Sequence, residues 1–245
     1  RYSMIHKRFT LAALALAGGL FASLNASAHV TWLATTHGTP SVMFGHNATN
    51  NEGYPVSKFI SARGLKNGEA VTVASKPQSN FVTIDTSSAN VVAFVLDNGY
   101  WVESKDGTWI NKPKAEAGVE VKSSGQYVKH SVAYLNARET AKPVGLDLEI
   151  VPAVNPATLK QGQKLSVQVL LRGKPLAGAS ISNDYFGNNK RVKTNAQGKA
   201  VLTVANRVFN IFEVEHTEKH PDAAKAAELG LSSTLTFDAQ HASEE

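Results

Sequence analysis

From about residue 29 onward, short stretches rich in Val, Ile, Thr and aromatic residues alternate with clusters of Gly, Pro, Asn and Asp, which is the pattern of an all-β protein. Phe81–Ile84, Val91–Leu96 and Tyr127–Leu135 read as strands. Asp97-Asn98-Gly99 and Asp106-Gly107 read as turns between aromatic-rich strands carrying Tyr100, Trp101 and Trp109. Later, Leu165, Val167, Val169 and Leu171 alternate with Lys164, Ser166, Gln168 and Leu170, so one face of that strand is buried. Val144–Ile150 has the same period of two, and Gly173–Ala179 and Thr194–Ala200 read as turns into the next strands. Helical periodicity occurs at Asp222–Leu229, entered by Pro221 and stopped by Gly230, which predicts one short helix inside a C-terminal loop. Asn136–Thr140 is polar and Lys142-Pro143 follows it, marking a boundary. The prediction is two tandem immunoglobulin-like or transthyretin-like β-sandwich domains, residues 29–142 and 143–240, with a polar tail at 241–245.

The first 28 residues depart from this pattern. Lys7 and Arg8 precede an apolar run from Leu11 to Leu24, and Ala26-Ser27-Ala28 closes it: a basic region, a short hydrophobic region and a small-residue cleavage site, as in a secretory signal peptide. Met4 reads as the natural start, with Arg1-Tyr2-Ser3 as upstream sequence. The run is broken by Gly18-Gly19 and is short for a bilayer span. The expected destination is the periplasm. Cleavage after Ala28 would make His29 the first residue, with its α-amine and its imidazole on one residue.

Charge and cysteine usage narrow the chemistry. The whole chain carries 25 Lys+Arg against 20 Asp+Glu, but Arg1, Lys7 and Arg8 belong to the signal peptide, so the mature chain is close to neutral. Its basic residues form no stripe, which argues against nucleic acid as a partner. There is no cysteine, so thiolate metal sites and thiol catalysis are excluded. About 215 residues remain to build cores without disulfides. A metal would have to sit on His, carboxylate, amide or the N-terminal amine, donors that suit nickel, cobalt, zinc or copper.

The second half carries a set of motifs: Pro143-Val144-Gly145-Leu146-x-Leu148-Glu149-Ile150-Val151-Pro152, Asn155-Pro156, Gly162-Gln163-x-Leu165-x-Val167-x-Val169-Leu170, Gly173–Ala179, Thr194-x-x-x-Gly198, Val214-x-His216 and Leu235-Thr236-Phe237. The start adds Ala28-His29-x-x-Trp32-Leu33 and Gly45-His46. In these residues the chain resembles the NikM-like domain-of-unknown-function family (DUF4198) of exported proteins. The resemblance is strong after Pro143 and loose between Tyr54 and Arg138. It implies periplasmic association with nickel or cobalt uptake, beside a membrane metal transporter or an outer-membrane receptor. The C-terminal apolar span of membrane-anchored members is missing here, which favours a free periplasmic carrier over a permease subunit.

Seven histidines remain after processing: His29, His37, His46, His130, His216, His220 and His241. None forms an H-x-x-x-H or H-E-x-x-H pattern, so a catalytic zinc helix is not supported. His29 stands out for its amine. His46 follows Gly45 in a polar loop with Asn47, Asn50, Asn51 and Glu52. His216 ends a strand running from Val208, on the face of Asn210, Phe212 and Val214, with Glu213 and Glu215 on the other face. The expected metal ligands are His29 with His46 or His216 or both, and His37 from the same N-terminal segment. His130 alternates with Val128 and Val132 and reads as a core or interface residue; His220 and His241 read as loop and tail residues. The amine-terminal copper and nickel motif with histidine third does not apply, because Thr31 is the third residue after cleavage. The leading expectation is a metal-binding accessory protein without enzymatic activity. The alternatives are a structural or partner-binding module without metal, and a histidine-brace copper oxidative enzyme. Ser-His-Asp hydrolysis has no support, since there is no G-x-S-x-G elbow.

Overall fold

A computed structural model describes residues 29–36, 38–47, 50–183 and 190–240. The expected signal peptide, His37, His241 and the polar tail lie outside the described residues. The strands, in chain order, begin with β1 (Val30–Thr36), β2 (Thr39–Asn47), β3 (Asn50–Asn51), β4 (Phe59–Lys66), β5 (Glu69–Val71), β6 (Ser75–Pro77), β7 (Val82–Ile84), β8 (Val91–Ser104) and β9 (Trp109–Ile110). They continue with β10 (Val121–Tyr134), β11 (Leu148–Pro152), β12 (Lys164–Leu171), β13 (Lys174–Pro175), β14 (Ser180–Ser182), β15 (Arg191–Lys193), β16 (Lys199–Thr203), β17 (Phe209–Lys219) and β18 (Glu228–Asp238).

These strands form three sheets. A nine-stranded sheet has the order β15-β14-β17-β18-β10-β8-β4-β5, with β9 added to β8. A five-stranded sheet, β1-β2-β7-β6 with β3 on β2, covers one of its faces, and a four-stranded sheet built on β12 covers the other. The burial pattern shows why. In β8, Val91 and Ala93 pack with Leu148, Val167 and Leu202, whereas Val92, Phe94 and Leu96 pack with Val42, Val82 and Ile84. The run Val91–Leu96 is apolar at every position because both of its faces are inside the protein, where a half-exposed strand would alternate. The middle sheet therefore draws β8 and β10 from before Pro143 and β14, β17 and β18 from after it. The junction is the parallel pairing of β10 with β18.

Two expectations are corrected. Asp222–Leu229 is not a helix: a turn at Asp222, with Lys225 and Ala226 N–H groups donating to the Asp222 carbonyl, leads directly into β18 at Glu228. Eight residues are too few to offset the cost of helix nucleation, and Glu228 instead pairs with Gly125 and Lys219. Asp97-Asn98-Gly99 is not a chain reversal either. β8 runs through it as a bulge, with Gly99 at φ +81°, the Asp97 carboxylate accepting the Gly99 N–H at 2.8 Å, and the register against β10 shifting at that point. The other turn signals fold as expected. Gly107 turns β8 into β9, and Asn195 and Gly198 close the turn before β16.

Candidate metal centre

β1 and β2 form an antiparallel hairpin in which Val30 faces Gly45, so His29 arrives opposite His46. The chain then folds back. β3 pairs with β2, and the Glu52 N–H donates to the Phe44 carbonyl at 2.7 Å. Gly45 permits this return. A Cβ there would collide with the Asn50 carbonyl oxygen and stand 2.8 Å from Asn51 Cα, so only glycine lets the two backbones approach this closely. Beneath the return, Tyr54 is buried, donates its hydroxyl to the Val42 carbonyl at 3.0 Å and accepts the Val82 N–H at 3.1 Å. This anchors the segment that carries Glu52.

The result is a cluster of two imidazoles and one carboxylate. His29 Nε2 lies 3.3 Å from Glu52 Oε2, His46 Nε2 lies 3.4 Å from Glu52 Oε1, and the two imidazole centroids are 3.7 Å apart. One ligand atom from each residue falls within 4.8 Å of the other two. His29 stacks on Phe44 at 4.7 Å with an interplanar angle of 11°, which fixes the ring against the apolar interior. Its Nε2 is buried and meets no hydrogen-bond partner among the described residues, although the Glu52 carboxylate stands 3.3 Å away. An unmatched buried nitrogen costs free energy, and a cation placed between it and the other two donors would remove that cost. Burial, reinforced by His46, lowers the His29 pKa, while the Glu52 carboxylate pulls the other way. The ring is thereby held in the neutral form that a metal requires.

The spacing fits a transition ion. Tetrahedral ligands at about 2.1 Å from zinc stand about 3.4 Å from one another. Two imidazoles and a carboxylate are borderline donors suited to nickel, cobalt, zinc or copper. His46 and Glu52 are partly exposed, so the site opens to solvent and an ion can enter and leave.

His29 and His46 are thus brought together. His216 is not. It lies within β17, which runs on to Lys219, and follows the face of Phe212 and Val214 that packs against the four-stranded sheet. Ile211, on the opposite face, packs with Val30 and Trp32 of β1. His216 therefore sits across the central sheet from His29, and its Nε2 lies 3.7 Å from Glu218, which is paired to Arg172. Glu213 lies on the face opposite Phe212 and Val214, as the alternation predicts, but that face is covered too. It is buried under the five-stranded layer, and burial together with Glu215 raises its pKa. His130 is buried, as expected. His220 is buried as well, bonded to Gln126 and the Asp222 backbone. Glu52 is the member of this cluster that the sequence did not single out; the sequence signal for it is the Gly45-His46 pair followed by an Asn-rich return.

A family model described as a domain of unknown function (DUF4198) matches residues 26–218. No curated protein and no solved structure matches the chain.

Proposed function

Starting from a chain that belongs to the DUF4198 family, we propose that this protein is an exported, periplasmic carrier of a divalent transition metal, holding its cargo at His29, His46 and Glu52. The observation that carries this reading is the convergence of three ligand atoms around the buried, unbonded Nε2 of His29. Nickel or cobalt comes first by resemblance to NikM-like proteins, and zinc and copper suit the same donors. Removal of residues 1–28 would add the α-amine of His29 to the site and complete a nitrogen-rich ligand set. The partner in this reading is a membrane metal transporter or an outer-membrane receptor. Residues 29–142 bear the metal centre, and residues 143–240 form the immunoglobulin- or transthyretin-like unit that supports it.

The test is calorimetric titration of protein beginning at His29 with Ni(II), Co(II), Zn(II) and Cu(II). One-to-one binding is expected, weakened at least about tenfold by His46→Ala or Glu52→Gln and unchanged by His216→Ala. A chain with one extra residue before His29 separates the amine from the side chains. Binding that is absent, or indifferent to His46 and Glu52, overturns the reading and leaves a structural or partner-binding module.

A further inference from the structure

On the far side of the central sheet from the metal centre, a cavity of about 210 Å³ lies between β4, β8, β10 and the loop preceding β11. Its polar lining is Ser61, Arg63, His130 and Asp147, set among Val95 and Val128. The loop that bears Asp147 is held from below. The buried Glu149 carboxylate accepts the N–H groups of Val144, Gly145 and Leu146 at 2.6, 2.9 and 3.2 Å. Gly145, at φ +78°, has no side chain to fill the space beside the Arg63 guanidinium.

Three features of this cavity are unexplained by folding. The Arg63 guanidinium makes no hydrogen bond and no ion pair among the described residues, although the buried Glu149 attracts it at longer range. Asp147 lines the same cavity, yet its carboxylate is not within ion-pair distance of Arg63. His130 is 2 % exposed, and its Nδ1 lies 2.9 Å from the Ser232 carbonyl. A carbonyl only accepts, so Nδ1 carries the proton and the lone pair of the neutral ring is on Nε2. Burial favours that neutral ring. No partner for Nε2 is found among the described residues. The cavity therefore presents a cationic donor, an anionic acceptor and a buried neutral acceptor, with the two charges held apart.

We propose that this cavity binds a small zwitterion bearing a carboxylate and an ammonium, that is, a free α-amino acid. The carboxylate takes the Arg63 guanidinium and the Ser61 hydroxyl. The ammonium takes Asp147 and His130 Nε2. The volume has room for on the order of ten heavy atoms, enough for glycine, alanine or a slightly larger amino acid. A simple anion would leave Asp147 and His130 unmatched, and a simple amine would leave Arg63 unmatched. Unmatched groups of this kind are what discriminate between ligands.

The test is titration of the metal-free full chain with L-alanine, and with propionate and ethylamine as analogues lacking one charge each. Alanine is expected to bind, with both analogues at least about tenfold weaker. Arg63→Gln and Asp147→Asn, both at exposed positions, should each weaken alanine binding about tenfold with an unchanged melting temperature. No binding of alanine, propionate binding as tightly as alanine, or alanine binding indifferent to Arg63 and Asp147 would overturn the proposal. So would alanine binding that is abolished by His46→Ala, since the ligand would then sit at the metal centre.

Discussion

Lys129 offers the sharpest quantitative test of the layered architecture. It lies on β10 under the five-stranded sheet, almost wholly buried, with its ammonium 5.8 Å from the Tyr127 ring centroid. Burial lowers its pKa from 10.5 to about 8, and the attraction of Glu215 and Glu213 only partly offsets this. Each tenfold change in proton affinity is worth about 1.4 kcal/mol, so the charged form costs the folded state about 3 kcal/mol relative to an exposed lysine. Below pH 8 both folded and unfolded chains carry the proton and the full cost applies. Between about pH 8 and pH 10.5 the unfolded chain holds more protons than the folded one, so stability rises with pH. From pH 7 to pH 9.5 the gain is about 2 kcal/mol. Tyr54 and Tyr127, both pushed up to about 12 by burial, act in the opposite sense once unfolded tyrosines ionise near pH 10, which sets the upper end of the useful window. Below that window Glu213 adds a falling limb. Its raised pKa means the folded chain holds the extra proton, so stability declines as pH climbs above the ordinary carboxylate range. Urea unfolding followed by tryptophan fluorescence, in chelator and at intervals from pH 6 to pH 9.5, should show stability turning upward at about pH 8 in the wild type. Lys129→Met should remove most of the upward limb, leaving only what Lys58, whose pKa burial also lowers, contributes in both proteins. Parallel curves for the two proteins across pH 7 to 9.5 would refute the burial of a charged lysine between the layers.

Gly230 on β18 lies under the Tyr127 ring: a Cβ there would stand 2.7 Å from Cδ1 and 3.0 Å from Cε1. Gly230→Ala should therefore cost about 1–3 kcal/mol, and much less in a Tyr127→Ala background; additive effects in the double-mutant cycle would contradict the contact. Metal affinity should fall as pH drops, because protons compete for the imidazoles. Burial of His29 lowers its pKa from 6.5, so competition at this ring sets in below that value. Competition titrations at several pH values would show it, and affinity independent of pH would exclude histidine ligation.

The local content of the sequence determined much of this protein. The all-β class follows from β-branched runs broken by turn residues, and the turns at Gly107 and Gly198 follow from residues whose own backbone preferences set them. His29 and His46 could be singled out because one stands at an expected cleavage site and the other follows a glycine in a polar loop. Tertiary structure decided the rest. The continuous apolar run of β8 was legible as a strand, but its coverage on both faces depends on β10 and β18 meeting in parallel a hundred residues apart. Period two placed His216 with Phe212 and Val214 correctly, but alternation cannot say which layer covers that face, and it proved to be the one away from β1. Glu52 joins the histidines because the backbone folds back tightly over Gly45, and Arg63, His130 and Asp147 share a cavity only through strand order. Side-chain period and turn chemistry act within a few residues, so one chain records them. Strand pairing and layer stacking depend on contacts between distant segments, and these are chosen only when the whole core packs.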